Sequence, residues 1–151
     1  MMVRWLNIPP VWLALALVIA YFQERDFYFG LSLSHPITDM VAGLSIGAGV
    51  LLMALAVVEM RRYRTTVIPH READHLVTTG VFKWTRNPIY LGDAMVLLGF
   101  ILHRDAVLSL AILPIFIMAI DYGFIVHEED RLRRKFRSDF ERYMRDTRRW
   151  I

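Results

Sequence analysis

The sequence predicts an all-α integral membrane protein of four helices in one domain. Of its 151 residues, 56% are hydrophobic, which is more than a soluble domain of this length needs for a single core. The charged residues make up 22% of the chain and are concentrated in a few polar segments between long apolar runs. This alternation is typical of a protein that crosses the membrane several times.

Four apolar segments are candidates for membrane spans, because a bilayer core of about 30 Å needs roughly 20 helical residues. The predicted spans are residues 5–22, 40–58, 88–102 and 106–126. The first contains Pro9 and Pro10 near its start, where proline is tolerated in a helix. Residues 103–105 alone separate the last two spans, and this predicts a tight helical hairpin.

The second span carries small residues at a spacing of about four, which a second helix can approach closely. They are Gly43, Gly47 and Ala48, with Gly49 beside them. We therefore expect this small-residue stripe to pack against another helix.

The distribution of the 18 Lys and Arg residues predicts the orientation of the spans. Six lie between residues 61 and 86 and nine from residue 131 onward, whereas loops 23–39 and 103–105 contain one each. Because basic loops are retained in the cytoplasm, both termini and the 59–87 loop are expected to be cytoplasmic. The other two loops are expected to face the opposite side.

The composition also excludes several kinds of site. The chain has no cysteine, which rules out disulfides, thiolate nucleophiles, Cys-ligated zinc and iron–sulfur clusters. No pair of histidines has the helical spacing of a metal site with a carboxylate, so no metal is predicted. The expected partners are membrane lipids and no nucleic acid, and the sequence leaves the oligomeric state open.

The polar segment before the third span is the first candidate for chemistry. It contains Leu-Val-Thr-Thr-Gly-Val-Phe at 76–82 and Arg-Asn-Pro-Ile-Tyr-Leu-Gly at 86–92. This pattern predicts an extended stretch followed by a helix start, where unpaired main-chain groups can bind an adenine edge or a carboxylate. An ordinary juxtamembrane loop with a helix cap is an equal alternative on spacing alone.

The acidic segment after the fourth span, His127-Glu128-Glu129-Asp130, is the second candidate. Acids at a membrane surface would suit a cationic ligand such as a sulfonium or an ammonium group, although pairing with neighbouring arginines is the simpler interpretation. The tail beyond it predicts an amphipathic helix at the membrane interface or over the site. Asp93 and Asp121 lie within apolar spans and should face the bundle interior or a polar cavity.

Taken together, the motifs at 76–82 and 86–92 and the distal Glu-Glu-x-x-Leu-x-x-x-Phe-x-x-x-Phe resemble one superfamily of membrane enzymes. It comprises the isoprenylcysteine carboxyl methyltransferases and the phospholipid methyltransferases, and the resemblance covers about residues 60–151. It implies S-adenosylmethionine as cofactor and a lipidic or membrane-embedded acceptor.

The reaction that the resemblance implies first is carboxyl O-methylation of the isoprenylcysteine type. N-methylation of a phospholipid or other amine and S-methylation of a small thiol are the alternatives within the enzyme class. The alternative from another class is a non-catalytic membrane subunit whose basic tail binds lipid.

The resemblance also implies which residues form the site. Those expected to hold S-adenosylmethionine are Asp74, His75, Leu76, Val77, Gly80, Phe82, Asn87, Pro88, Ile89, Tyr90 and Glu128. The catalytic candidates are Arg86, which could orient a carboxylate or a phosphate, and Glu129 and Asp121, which could accept a proton. Asp93 is a further candidate proton acceptor.

The chain departs from the family pattern at four of its positions. The family usually has a histidine where this chain has Asn87, a tyrosine at Phe82 and a glycine at Arg137. Phe124 stands where the prenylcysteine enzymes have an arginine that would pair with the substrate carboxylate.

Overall fold

The computed structural model describes residues 8–27, 29–65 and 74–151, and this part of the chain forms four helices and no strand. Their bounds are Pro9–Asp26 for α1, Pro36–Arg62 for α2, Pro88–His103 for α3 and Val107–Asp146 for α4. The predicted all-α class and the number of helices are confirmed.

Three helices begin at proline. Pro9, Pro36 and Pro88 occupy the first turns of α1, α2 and α3, where the missing N–H costs no helical hydrogen bond. The start of α2 is also capped, because His35 Nδ1 accepts a hydrogen bond from the N–H of Ile37 at 3.1 Å.

Helix α4 is a composite element. A 3₁₀ turn at Val107–Ala111 leads into an α-helical segment at Ile112–Ile120, a π-helical turn at Asp121–Ile125 and a second α-helical segment at Val126–Asp146. The predicted fourth span and the predicted tail helix are therefore one continuous element. It bends at Arg137, whose φ of +45° lies outside the helical region.

The apolar helices follow the predicted spans closely. Residues 5–7 of the first predicted span lie outside the described residues. By length and composition, α2 with 27 residues and α4 with 40 could cross a membrane, and α3 is a shorter apolar helix of 16 residues. Much of the apolar surface of α2 is exposed, which is the pattern expected of a helix that faces lipid.

Helices α2 and α3 pack closely through glycines. A Cβ added at Gly99 would lie 2.6 Å from the carbonyl oxygen of Ala42, and one added at Gly92 would lie 2.7 Å from that of Gly49. Backbones this close leave no room for a side chain at these positions.

The small-residue stripe predicted on α2 is only partly at this interface. Gly49 contacts α3, but no atom of the described residues lies within 4 Å of a Cβ added at Gly43 or Gly47, and Ala48 is exposed. The expectation for these three residues was wrong, because a four-residue spacing shows which residues share a face and not which face meets the neighbouring helix.

The buried core lies between α1, α3 and α4. Its members are Ala16, Ala20, Tyr90, Ala94, Leu97, Ile101, Ala106, Phe116, Ile120, Phe124 and Ile125. Because this core reaches from the start of α3 to the π-helical turn of α4, it fixes the relative position of the two elements that carry most of the candidate site.

The polar segments gather at the two ends of the bundle. At one end the hairpin that joins α3 to α4 is bound to the loop before α2: Asp105 accepts hydrogen bonds from Ser32 Oγ at 2.5 Å and from the N–H of Leu33 at 2.6 Å. In the same region Arg104 pairs with Glu24 at 2.5 Å. The end of α2, residues 74–87 and the tail of α4 meet at the opposite end.

Candidate active site

The Arg86 side chain connects the loop before α3 with the tail. Its guanidinium donates to Glu129 Oε1 at 2.9 Å and to the carbonyl oxygens of Met144 and Thr147 at 3.2 and 3.0 Å. Its Nε is buried and has no hydrogen-bond partner among the described residues. Arg86 therefore has most of its hydrogen-bonding capacity directed at this protein's own groups.

Arg149 joins the other two predicted catalytic residues. It donates to Glu129 Oε2 at 2.6 Å and Oε1 at 3.2 Å, and to Asp121 Oδ2 at 3.0 Å and Oδ1 at 3.3 Å. The hydrogen bond with Glu129 is the main reason why the pKa of Arg149 is raised. Arg86, Glu129, Arg149 and Asp121 thus form one alternating ion-pair chain, which we call the acid–arginine chain.

The ion-pair chain was not foreseen as a unit. The sequence predicts Arg86, Glu129 and Asp121 as separate catalytic candidates, and it does not predict a role for Arg149. Arg149 lies 20 residues from Glu129 and 28 from Asp121 in the sequence. A separation of this size gives no local signal, so the pairing is visible only in three dimensions.

The π-helical turn of α4 lies shortly before Glu128 and Glu129, which we call the acidic pair. A single π-helical turn inserts an extra residue into a helix and is frequent at functional sites. Here it runs from Asp121 to Ile125, and Phe124 within it is 2% exposed in the apolar core. Phe124 stands at the position of the arginine expected in the prenylcysteine enzymes, so this position adds no charge to the site.

The first turn of α3 faces the acidic pair through Tyr90. The Tyr90 side chain is 7% exposed, and its hydroxyl donates to Glu128 Oε1 at 2.8 Å. Pro88 is buried and Ile89 half-buried beside it. Two residues that are expected to bind the cofactor, Tyr90 of the 86–92 motif and Glu128 of the acidic segment, are therefore in contact.

Asn87 precedes this turn and is held by the C-terminal residues. Its Nδ2 donates to the carbonyl oxygen of Arg149 at 3.0 Å, and Thr85 Oγ1 donates to the same oxygen at 3.1 Å. The Asn87 N–H in turn donates to Thr85 Oγ1 at 3.1 Å. The tail therefore lies against the start of α3.

The segment at 76–83 is less extended than predicted. Leu76 to Thr78 has no regular structure, but Gly80–Lys83 is a 3₁₀ turn, so Val81 and Phe82 are not extended. Gly80 has a φ of +58°, and an added Cβ would lie 3.0 Å from Glu59 Cδ. The positive φ favours glycine there, and an added Cβ would also crowd the Glu59 side chain.

The end of α2 and the tail hold this segment in place. The Thr79 hydroxyl donates to the Glu59 carboxylate and lies 3.0 Å from the Tyr63 hydroxyl. The half-buried Phe82 has its carbonyl oxygen bound by the Tyr143 hydroxyl at 2.7 Å. Burial raises the pKa of Tyr143, so its phenol stays protonated and able to donate.

Two of the expected cofactor residues are not bonded to the acid–arginine chain within the described part of the protein. Asp74 and His75 are exposed, and among the described residues neither has a hydrogen bond or ion pair to that chain. Val77, by contrast, is 7% exposed, and Leu76 is half-buried at the edge of a cavity.

A cavity of about 550 Å³ separates the 76–83 segment from the tail. It is lined by Leu76, Thr78, Lys83, Asp139, Arg142, Tyr143, Asp146 and Thr147. The lining carries both charge signs, and Thr147 connects it to Arg86 through the hydrogen bond described above. The volume lies within the range of ligand pockets, about 300–1,000 Å³.

Asp93 is a buried acid one turn after Tyr90. It is 6% exposed, and none of the described residues gives its carboxylate a hydrogen bond or an ion pair. A carboxylate inside an apolar bundle is costly unless it meets a cation or a donor. Asp93 is therefore a candidate for contact with a ligand. Within the described residues, no cluster of His, Asp and Glu side chains has the arrangement of a metal site.

The comparison with known families supplies an independent result. Residues 37–139 match the family model described as phospholipid methyltransferase. The match takes in α2, which lies before the expected starting point near residue 60, and ends at Asp139 within the tail of α4. No curated protein and no solved structure matches the chain.

Proposed function

The chain belongs to the phospholipid methyltransferase family, and we propose that it is a membrane enzyme that transfers a methyl group from S-adenosylmethionine to a lipidic acceptor. The observation that carries this proposal is the contact between the first turn of α3 and the acidic pair of α4, made by Tyr90 and Glu128 at 2.8 Å. It places the positive end of a helix beside a carboxylate, and a zwitterionic amino acid group can use both.

The surrounding residues fit this cofactor. S-Adenosylmethionine, when bound, supplies a methyl group on a positively charged sulfur. Helix geometry leaves the N–H groups of Ile89 and Tyr90 without a carbonyl partner one turn back, so they are available to a carboxylate. Leu76 and Phe82 offer apolar surface for an adenine ring, and the adjoining cavity provides space. Glu128 would face the cationic part.

The charges near the site favour an amine as the methyl acceptor. The site contains four acids, Asp93, Asp121, Glu128 and Glu129. It contains three positive charges: the guanidinium groups of Arg86 and Arg149, and Arg131, which interacts electrostatically with Tyr90. Arg86 and Arg149 are already paired with carboxylates, so an anionic substrate would have to displace a protein acid. A cationic headgroup would instead find Asp93, which has no ion-pair partner among the described residues.

Methylation of an amine requires one proton to leave the acceptor nitrogen, because a protonated amine has no lone pair to attack with. The oxygens of Glu129 and Asp121 accept hydrogen bonds from guanidinium groups. Asp93 has no such partner among the described residues and lies one turn from Tyr90. Of the three acids proposed from the sequence as proton acceptors, we therefore assign proton acceptance to Asp93 ahead of Glu129 and Asp121.

Carboxyl O-methylation of the isoprenylcysteine type is the second candidate reaction. The order and spacing of the three motifs support it, and Arg86 would then have to exchange Glu129 for the substrate carboxylate. A carboxylate is already ionised at neutral pH and needs no proton acceptor. In both cases the cofactor would enter from the cytosol at the polar end formed by residues 74–87 and the tail, and the lipid would enter between helices.

Binding of S-adenosylhomocysteine to the purified protein tests the cofactor site. We expect saturable binding that Glu128→Ala weakens by about tenfold or more, as when a charge-assisted hydrogen bond is lost. Glu141→Ala removes an exposed acid from the same helix and should bind like the wild type. Absence of binding, or equal binding by Glu128→Ala, would reject the site.

Methyl transfer from labelled S-adenosylmethionine to membranes identifies the acceptor. Label in a lipid headgroup amine supports N-methylation, and label released by mild base as a methyl ester supports the carboxyl reaction. A volatile product indicates a small thiol. No transfer at all, with function lost when the tail arginines are removed, would indicate the non-catalytic lipid-binding subunit.

A further inference from the structure

Arg149 is bound at both its side chain and its main chain. The guanidinium holds Glu129 and Asp121, which stand eight residues apart on α4, with Asp121 at the start of the π-helical turn and Glu129 beyond its end. The carbonyl oxygen accepts hydrogen bonds from Thr85 and Asn87, directly before α3. One residue near the end of the chain thus joins the two helices that carry the candidate cofactor site.

The residues around Arg149 add to the same contact. The carbonyl oxygens of Thr147 and Arg148 accept hydrogen bonds from Arg86 at 3.0 Å each, one from its side chain and one from its main-chain N–H. Trp150 packs against the apolar core. We call residues 147–150 the C-terminal strap. The strap lies beyond residue 139, where the family match ends.

The charges explain why this contact should affect the site. Without the Arg149 guanidinium, Arg86 would be the one remaining ion-pair partner of Glu129 among the described residues, and Asp121 would have none there. Two carboxylates left close together in a partly buried region repel each other and attract water. Glu128 is the next residue to Glu129 on α4, so a shift of this turn would move it away from the Tyr90 hydroxyl.

We propose that Arg149 is a positioning residue of the cofactor site and that the C-terminal strap forms one wall of that site. Arg149 acts through other residues: its side chain sets the orientation of the acidic pair, and its carbonyl oxygen holds Asn87 at the start of α3. The inference rests on the proposed function, since it takes the Tyr90–Glu128 contact as the place where S-adenosylmethionine binds.

The test compares variants of the full-length protein by binding of S-adenosylhomocysteine and by thermal unfolding in detergent. Arg149→Gln should weaken binding by about tenfold or more, as for residues that orient the ligands of a bound group. Arg145→Gln is the matched control, because it removes a positive charge from an exposed side chain of the same tail, outside the C-terminal strap. It should bind within about twofold of the wild type, less than the tenfold that corresponds to about 1.4 kcal/mol.

Chemical rescue distinguishes positioning from a general loss of structure. Millimolar guanidinium ion should restore binding to Arg149→Ala, whereas sodium chloride at the same concentration should not, because only a planar donor can bridge two carboxylates. If neither variant folds, Arg149→Lys decides: weaker binding at an unchanged melting temperature supports the proposal, and wild-type binding overturns it.

The outcomes also separate this proposal from the proposed function. A wild-type protein that does not bind S-adenosylhomocysteine would contradict the function itself. A wild-type protein that binds it, together with an Arg149→Gln variant that binds equally well, would overturn the role of Arg149 and leave the function intact.

Discussion

Arg137 has a backbone conformation that suits glycine. Its φ of +45° and ψ of −116° mark the bend of α4, at the position where the family pattern has glycine. A side chain with a Cβ is strained at positive φ, by about 1–2 kcal/mol where it has been measured for left-handed conformations. The departure from the pattern noted in the sequence therefore has a structural cost.

We expect Arg137→Gly to raise the free energy of unfolding by up to about 1 kcal/mol, since relief of strain outweighs the extra freedom of glycine in the unfolded chain. Thermal unfolding in detergent measures the effect. Ser138→Gly, one residue further on, is the control and should lower stability by roughly 0.5–1 kcal/mol. A destabilised Arg137→Gly protein would mean that the bend does not require positive φ.

Single residues also show how far the site could be predicted. The motif around Asn87 to Tyr90 and the acid Glu128 could be selected from order and spacing, and the structure brings Tyr90 and Glu128 into contact. Arg149 could not be selected, because its partners are 20 to 64 residues away. Resemblance identifies residues that lie within a motif, whereas an ion pair across the fold depends on how the helices pack.

At the scale of elements, the sequence predicts the positions and lengths of the helices better than it predicts which helix faces pack together. A run of apolar residues determines where a helix can lie in a membrane, so the four helices were found near their predicted positions. The π-helical turn at Asp121–Ile125 has no signal of this kind, and it changes which residues of α4 share a face. The α2 glycines show the same limit, since Gly49 and not Gly43 meets α3.

The α2–α3 contact can be tested by adding one methyl group. Gly99→Ala would place a Cβ 2.6 Å from the carbonyl oxygen of Ala42 and 3.0 Å from the main-chain nitrogen of Ile46, and a backbone cannot move aside as a side chain can. We expect a loss of about 1–3 kcal/mol in the free energy of unfolding, measured by thermal unfolding in detergent.

Gly47→Ala is the matched control within α2. No atom in the described part of the chain lies within 4 Å of its added Cβ, and alanine favours a helix over glycine by up to about 1 kcal/mol. This variant should be as stable as the wild type or more so. Equal destabilisation by both substitutions would contradict the close contact of α2 with α3 at Gly99.

At the scale of the whole molecule, the two polar ends differ in charge. The end formed by residues 59–65, 74–87 and the tail carries most of the basic residues and, together with the first turn of α3, all the candidate site residues except Asp93 and Asp121, which lie deeper within the helices. The end with Asp105 and the loop before α2 carries few basic residues. By the positive-inside rule, we predict from this asymmetry that the candidate site faces the cytoplasm.

The absence of cysteine from the chain makes this orientation directly measurable. Ser138→Cys on the exposed tail and Ser34→Cys on the exposed loop before α2 each introduce a single thiol. In intact cells a thiol reagent that cannot cross the membrane should label Ser34→Cys and leave Ser138→Cys unlabelled until the membrane is opened. The cysteine-free parent controls for background labelling. Labelling of both thiols from the outside, or of Ser138→Cys alone, would contradict the predicted orientation. The positive-inside rule predicts that the basic end, which contains Ser138, faces the cytoplasm and that the end with Ser34 faces the other side.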